Sequence, residues 1–141
     1  MLVGLPGSGK STWAAAQPHT SLSSDQIRLI LSGDESNQAI HAAVFSTMRF
    51  LLRQRLTLGA RATILDATHL ERKWRRLWIQ LGAQYGATVE AVYFNTPLEE
   101  CLKRNQSRVR QVPEAALRAM AAKLQPPARA EGFARVETIR A

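Results

Sequence analysis

A glycine-rich stretch at the start of the chain carries the residue types best suited to holding phosphate groups. The letters "GLPGSGKST" (residues 4–12) match G-x-x-x-x-G-K-[ST], whose glycines let the backbone turn its amides inward around phosphates. This spacing predicts that Lys10 reaches the β- and γ-phosphates of ATP or GTP, that Ser11 holds Mg²⁺ through its hydroxyl, and that Thr12 meets the α-phosphate. The residues expected to bind the nucleotide are Gly7, Ser8, Gly9, Lys10, Ser11 and Thr12.

An acidic and a basic residue in "SSDQIR" could act on a phosphoryl acceptor. Asp25 and Arg28 are three positions apart, so they share one face of a helix if that turn forms. Asp25 would then orient and deprotonate an acceptor hydroxyl, and Arg28 would bind a phosphate. The alternative is that Asp25 only caps a helix beginning at Gln26 and that Arg28 lies on the solvated surface.

Asp66 ends the apolar run "ATILD", at the place where a parallel strand delivers residues to the ligand edge of its sheet. An acid there can hold Mg²⁺ through water or orient Lys10. A carboxylate that caps a turn is the alternative.

Two arginines in "RNQSR", Arg104 and Arg108, are four positions apart and would project from the same side of a helix. Two converging guanidinium groups would neutralise the charge that develops during phosphoryl transfer. An arginine-rich surface helix would show the same spacing.

The elements that must position these residues alternate along the chain. Predicted strands are "MLV", "TSLSS", "ATILDA", "TVEAVYF" and "FARVETI". Predicted helices follow them as "KSTWAAAQ", "DQIRLIL" closed by Gly33, Ile40 to Leu58, "ERKWRRLWIQLGAQY", "TPLEECLKRNQSR" with Thr96 as N-cap and Pro97 in first position, and "VPEAALRAMAAKL" starting at Pro113. This alternation predicts one α/β domain with a parallel sheet covered on both faces.

Length, charge and cysteine content narrow the class of protein. The 141 residues suffice for one compact domain, and Cys101, the single cysteine, excludes an internal disulfide. No apolar run has the length needed to cross a bilayer, and no secretory signal pattern opens the chain, so we expect a cytoplasmic protein without a membrane partner. The oligomeric state stays open.

The net charge of +8 is unevenly distributed. Residues 1–48 carry two basic and three acidic side chains, whereas residues 49–141 carry seventeen and eight. Such an excess attracts polyanions, nucleic acid among them, although a compositional bias toward arginine is an equal alternative.

The run "ERKWRR" concentrates this charge in Arg72, Lys73, Arg75 and Arg76. These cations could contact backbone phosphates, or form a solvated helix face. Two tryptophans, Trp74 and Trp78, could stack on a terminal base, although burial in the apolar stripe of the helix is the stronger interpretation.

Taken in order, the motifs resemble the 5′-hydroxyl polynucleotide kinase domain of phage and bacterial nucleic-acid end-repair enzymes. The matching stretches span nearly the whole chain and are "GLPGSGKSTW", "SSDQIR", "LDATHLERKWRR", "PLEECLKRNQSR", "VPEAALRAM" and "EGFARV". One departure is His69, which stands where many relatives have Asn and which we interpret as a surface histidine.

The resemblance implies ATP and Mg²⁺ as cofactors and a 5′-hydroxyl end of DNA or RNA as the substrate. It implies that Asp25 is the general base, that Arg28 contacts the reacting or adjacent phosphate, and that Asp66 supports the metal. Arg104 and Arg108 would be lid arginines on the ATP phosphates. The implied fold is a P-loop kinase three-layer sandwich of residues 1–141, with a five-stranded parallel sheet flanked by helices and a helical lid at about 105–124.

Three functions remain open at this point. The first is in-line transfer of the γ-phosphoryl group of ATP to a nucleic-acid 5′-hydroxyl. The second is the same chemistry on a small-molecule alcohol, because the motif set also marks small P-loop kinases with other acceptors. The third is a nucleotide-binding switch with no phosphoryl acceptor.

Overall fold

The structure is a computed structural model that describes residues 1–140, in which six α-helices and five β-strands alternate. In chain order they are β1 (Leu2–Val3), α1 (Lys10–Ala15), β2 (Thr20–Ser23), α2 (Ser24–Ser32), α3 (His41–Thr57), β3 (Thr63–Asp66), α4 (Arg72–Gln84), β4 (Glu90–Phe94), α5 (Leu98–Gln106), α6 (Glu114–Lys123) and β5 (Arg135–Ile139). Short 3₁₀ turns occupy Gln38–Ile40 and Arg129–Glu131. All strand pairs are parallel, so the predicted α/β class is confirmed.

The chain divides into two compact units, the first formed by Met1–Trp13 with the segment from Thr68 onward and the second by Ala14–Ala67. The first unit contains a sheet in the order β1-β4-β5, with Leu2 opposite Val92 and Glu90 opposite Arg135. Its central strand β4 is buried because it reads as an almost continuous apolar run.

An apolar cluster in the first unit joins α5 and α6 to the segment after β1. The side chains of Leu5, Cys101, Leu102 and Leu117 are buried there, and Met120 packs against them. Because Leu117 is fully buried, α6 is anchored to this unit by its apolar face.

The second unit pairs β2 with β3, with Thr20 opposite Thr63 and Ser23 opposite Asp66. Helix α3 buries Val44, Met48 and Leu52, which recur at the helical spacing seen in the sequence. Among the helices of residues 1–140, none combines the length and the apolar character needed to cross a membrane.

The sequence predicted that five strands form one sheet. The five strands of the described residues instead form two sheets, one of three strands (β1-β4-β5) and one of two (β2-β3). The predicted number of strands and their parallel sense are confirmed. The first strand spans only Leu2–Val3, and its ladder pairs it with β4.

The ends of two helices test the predicted caps. Helix α2 ends as predicted at Gly33, whose φ of 71° is left-handed and whose amide donates to the Leu29 carbonyl at 2.7 Å. The prediction for α5 is wrong, because Pro97 is its N-cap. The Thr96 hydroxyl instead donates to the Ser8 carbonyl at 3.1 Å.

Candidate functional site

The loop of residues 4–9 joins β1 to α1, and its three glycines, Gly4, Gly7 and Gly9, all have a positive φ. Gly7 has a φ of 80° and Gly9 a φ of 99°. A Cβ on Gly7 would lie 2.9 Å from the carbonyl oxygen of Cys101, whereas a Cβ on Gly9 would meet nothing within 4 Å. Gly7 therefore lets the loop pack closely on α5, whereas Gly9 borders open space.

The side chain of Lys10 folds into this loop. Its ammonium donates to the Leu5 carbonyl at 2.7 Å and to the Ser8 hydroxyl at 3.4 Å, and the residue is buried. Ser11 and Thr12, in the first turn of α1, are exposed. The loop thus combines an inward cation, left-handed glycines and accessible hydroxyls, a set that fits a nucleotide triphosphate and Mg²⁺.

Two side chains from the β4–α5 segment support the loop. The Thr96 hydroxyl donates to the carbonyl of buried Ser8, as described above. The Arg104 guanidinium approaches the Gly7 carbonyl at 3.5 Å while its Nε donates to Glu100 at 2.8 Å. The structure therefore places Arg104 beside the loop, and its contact with ATP phosphates stays a prediction.

The predicted pairing of Arg104 with Arg108 on one helix face is wrong. Helix α5 ends at Gln106, so Arg108 lies beyond it in an exposed segment. The helix stops there because the Asn105 side chain bonds the chain as it returns: its amide donates to the Val112 carbonyl at 2.7 Å and its oxygen accepts from the Val112 amide at 2.9 Å. Sequence reasoning missed Asn105, although it lies within the "RNQSR" motif, directly after Arg104.

The second unit brings Asp25 and Arg28 together, as their spacing predicted. Both belong to α2, and the Arg28 Nη1 lies 3.2 Å from the Asp25 Oδ1. The alternative of a capping aspartate beside a surface arginine is wrong, because Ser23 is the N-cap and the Arg28 side chain is 5% exposed. The Asp25 side chain is 48% exposed, so a buried guanidinium orients an accessible carboxylate.

Asp66 is the last residue of β3 and is buried. It lies opposite Ser23, the residue from which α2 departs. Asp66 and the start of α2 therefore occupy the same edge of the two-stranded sheet, at the carboxyl ends of its strands.

His69 is not the surface histidine that the sequence suggested. It is 6% exposed, has a left-handed φ of 45°, and donates from Nδ1 to the Leu2 carbonyl at 2.8 Å. Its ring meets Trp78 edge-on at 5.9 Å. Burial lowers the pKa of His69 to about 3, with the nearby cations of Lys10 and Arg75 acting in the same direction.

The basic run at the start of α4 divides into buried and exposed members. The Arg75 side chain is 0% exposed and makes a two-point ion pair with Glu131, at 2.8 and 2.7 Å. Its remaining nitrogen donates to the carbonyls of His69, Leu70 and Gln125. Arg75 is therefore not available to backbone phosphates, which corrects its place among the candidate phosphate contacts.

Glu131, the partner of Arg75, is also fully engaged in this ion pair. Burial raises the pKa of Glu131, but hydrogen bonds from Arg75 and from the Ala128 amide outweigh it and hold the pKa below its usual value.

The two tryptophans of α4 differ in exposure. Trp78 is buried as expected, whereas Trp74 is 55% exposed, so its predicted burial is wrong.

Comparisons with known proteins identify the family and the fold of this chain. A family model described as an AAA domain, AAA_33, matches residues 1–127. A chain of the Pnkp1/Rnl/Hen1 RNA repair complex superposes with a TM-score of 0.73 at 22% identity, over 88% of this chain and 42% of that chain. The chain thus spans less than half the length of that relative.

Two further solved structures match over nearly the whole chain. A sugar kinase from Janibacter sp. HTCC2649 gives a TM-score of 0.68 at 18% identity, covering 99% of this chain and 82% of that one. A candidate kinase from Chloroflexus aurantiacus J-10-fl gives 0.72 at 15% identity with the same coverage. These likenesses establish a P-loop kinase-like fold.

Proposed function

The chain belongs to the AAA_33 family of AAA domains, and we propose that it is an ATP-dependent kinase acting on the 5′-hydroxyl end of DNA or RNA. The observation that carries the proposal is the pair in which buried Arg28 orients the accessible carboxylate of Asp25. A nucleotide switch without an acceptor has no use for an oriented carboxylate of this kind, whereas a kinase needs one to take the proton of the attacking hydroxyl.

In this reaction Asp25 accepts the proton of the 5′-hydroxyl while the hydroxyl oxygen forms a bond to the γ-phosphorus. The bond from that phosphorus to the bridging oxygen breaks, and ADP leaves. Lys10 and the loop amides hold the phosphate oxygens, and Arg104 neutralises the charge that develops on them. Mg²⁺, held by Ser11 and through water by Asp66, would supply further neutralisation of the β- and γ-phosphates.

The proposed lid comprises the end of α5, the exposed segment after it and α6. In this proposal, residues 1–141 act as one kinase domain whose lid spans about 105–124, and Arg108 joins Arg104 on the ATP phosphates. Arg28 contributes by orienting Asp25, and its remaining donors are suited to a phosphate next to the reacting group.

Nucleic acid is the preferred acceptor for two reasons. The motif order resembles polynucleotide kinases across nearly the whole chain, and the basic excess lies beyond residue 48. One observation favours a small-molecule alcohol as the second candidate: the chain covers 82% of the sugar kinase but only 42% of the RNA repair chain.

The test is transfer from γ-labelled ATP to 5′-hydroxyl oligonucleotides of DNA and of RNA, in parallel with a panel of sugars and nucleosides. The proposal expects label at the oligonucleotide 5′ end, removable by a phosphatase. Label confined to a sugar or another small alcohol would replace it with the second candidate, and ATP binding without any transfer would favour the switch.

The role of Asp25 is tested by Asp25→Asn. Loss of a general base lowers kcat about 10² to 10⁴-fold, while ATP binding should persist. The matched control is Glu99→Gln, which changes an exposed carboxylate on α5 and should leave kcat unchanged. Loss of ATP binding in Asp25→Asn would contradict the assignment of Asp25 to the acceptor.

A further inference from the structure

An exposed tryptophan distinguishes α4 from the other helices of the first unit. Trp74 is 55% exposed, although Trp78, one turn further along the same helix, is 4% exposed and packs on His69. Lys73 places its ammonium 5.1 Å from the centre of the Trp74 ring. A large aromatic surface with a cation beside it is thus presented to solvent.

The charged side chains near Trp74 have the same sign as the end of the helix dipole beside which they lie. Helix α4 has no acidic residue in its first turn, which is occupied by cations, although the positive end of the helix dipole favours carboxylates there. In contrast, α5 carries Glu99 and Glu100 in its first turn, and α6 carries Glu114. Although the N-cap of α4 is the carboxylate Glu71, the first turn therefore carries an excess of positive charge.

The cations remain accessible after their own ion pairs are counted. Arg72 and Lys73 have side chains that are 64% exposed, and Arg76 is exposed as well. Glu131 is already neutralised by Arg75, and Arg72 reaches it only at 3.7 Å. Lys73 pairs with Glu71 at 3.1 Å, so three exposed cations, Arg72, Lys73 and Arg76, outnumber the one carboxylate of this segment that is not already paired with Arg75.

The backbone connects this part of α4 to the phosphate loop. The Gly4 amide, at the start of the loop, donates to the Thr68 carbonyl at 3.1 Å. The next residue, His69, donates to Leu2 in β1. Trp74 therefore lies in the first turn of the helix that follows a segment hydrogen-bonded to the loop and to β1.

From these observations we infer that the surface formed by Arg72, Lys73, Trp74 and Arg76, here called the Trp74 surface, binds a single-stranded segment of the acceptor nucleic acid. One base stacks on the indole of Trp74, and the adjoining phosphates pair with the three cations. This inference rests on the proposed function, since it concerns how the acceptor is held.

Charge complementarity selects this occupant over a protein partner. Every nucleobase has a π-face that can stack on an indole, and each nucleotide brings a phosphate for a neighbouring cation. Cations on both sequence sides of one exposed aromatic match the repeating alternation of base and phosphate along a strand.

The first experiment compares two acceptors that differ only in length. Transfer is measured to a nucleoside 3′-monophosphate and to a 5′-hydroxyl oligonucleotide of about ten nucleotides, a length on the scale of known single-strand sites. In Trp74→Ala the ratio of kcat/KM for the oligonucleotide to that for the mononucleotide should fall about tenfold, the effect expected for one lost base stack. Trp74→Phe should restore most of the ratio, and the control Tyr85→Ala, on an exposed aromatic at the far end of α4, should not change it.

An unchanged ratio in Trp74→Ala would overturn the inference while leaving the kinase proposal intact. If the wild-type protein labels neither acceptor, the kinase proposal has failed, and binding of the labelled oligonucleotide then decides the inference by fluorescence anisotropy. A change of oligomeric state in Trp74→Ala, with unchanged oligonucleotide binding, would mean that the surface contacts protein instead.

The second experiment measures the salt dependence of that binding. Each phosphate contact to a single strand contributes about 0.7 to the slope of log Kd against log salt concentration. Replacing Arg72, Lys73 and Arg76 with Gln should therefore lower the slope by about 2. A slope equal to that of the wild type would exclude these three side chains as phosphate contacts.

Discussion

The Thr96 hydroxyl donates a hydrogen bond to the Ser8 carbonyl over 3.1 Å, and both residues are buried. Thr96 follows β4 just as the glycine-rich loop follows β1, and these two parallel strands are neighbours in the sheet. Adjacent parallel strands deliver their following residues to one edge. The path of the loop backbone is therefore fixed in part by the connection after a neighbouring strand.

Replacing Thr96 with Val keeps the shape of the side chain but removes the donor. The buried Ser8 carbonyl would lose this partner, so the free energy of unfolding should fall by about 1 to 3 kcal/mol. The affinity for ATP should fall as well, because the loop that carries Lys10 loses a support. Urea denaturation and nucleotide titration measure the two effects, and Thr96→Ser, which retains the hydroxyl, should behave nearly as the wild type.

Two glycines of the loop, Gly7 and Gly9, should respond differently to alanine. In Gly7→Ala the new Cβ would meet the backbone oxygen of Cys101 at 2.9 Å, in addition to the strain of a φ of 80°. In Gly9→Ala only the strain of the left-handed conformation applies, about 1 to 2 kcal/mol. Gly7→Ala should therefore lower the melting temperature more than Gly9→Ala. Equal losses would mean that the approach of the loop to α5 is not limiting.

Local sequence patterns predicted the features that depend on residues close together in the chain, namely the strands, one helical face and the glycine-rich loop. Alternating apolar runs located the five strands, and spacing alone placed Asp25 and Arg28 on one helical face. The loop residues were equally accessible to prediction, because a glycine-rich turn between strand and helix determines its own geometry.

Interactions between distant residues were beyond such patterns. Burial of Arg75 is possible because the carboxylate of Glu131, 56 residues away in the sequence, accepts hydrogen bonds from its guanidinium. Without knowledge of that partner, an arginine in a basic run is predicted to lie on the surface. Burial of His69 is possible because its Nδ1–H donates a hydrogen bond to the carbonyl of Leu2, 67 residues away in the sequence. The position of Thr96 could have been noticed in the sequence, because it follows the carboxyl end of a parallel strand and Asp66 was selected for lying at such an end.

Replacing Arg75 with Met should be strongly destabilising. The change leaves the Glu131 carboxylate without its main partner, and an uncompensated buried charge of this kind costs about 3 to 5 kcal/mol. Arg76→Met, one residue further on the exposed face, should change the free energy of unfolding by less than about 0.5 kcal/mol. Combining Arg75→Met with Glu131→Leu should recover part of the loss, and failure to recover any would contradict the assignment of the cost to the stranded carboxylate.

The Asn105 side chain closes the loop that carries Arg108. Asn105→Asp keeps the acceptor for the Val112 amide but loses the donor to the Val112 carbonyl, so the loop should open more often. Limited trypsin digestion reports this directly, because Arg108 and Arg110 are cleavage sites within the loop. Cleavage there should accelerate several-fold in Asn105→Asp and remain unchanged in Gln106→Glu, an exposed neighbour.

The buried imidazole of His69 should make stability depend on pH. Its pKa is about 3 in the folded protein and about 6.5 when unfolded, so the unfolded state binds the proton first as the pH falls. The contribution of the neutral ring to the free energy of unfolding is fully present above about pH 6.5 and is lost progressively as the pH falls toward 3. Between pH 7 and pH 5 this one group should remove about 2 kcal/mol from the free energy of unfolding.

His69→Asn isolates that effect, because Asn tolerates the left-handed backbone and offers an amide donor to the Leu2 carbonyl. Urea denaturation of both proteins at several pH values gives the difference in unfolding free energy, which should shrink by that amount between pH 7 and pH 5. His41, whose pKa is also lowered, first by burial and then by Arg28, is present in both proteins and cancels. A difference that is the same at both pH values would mean that folding does not lower the pKa of His69.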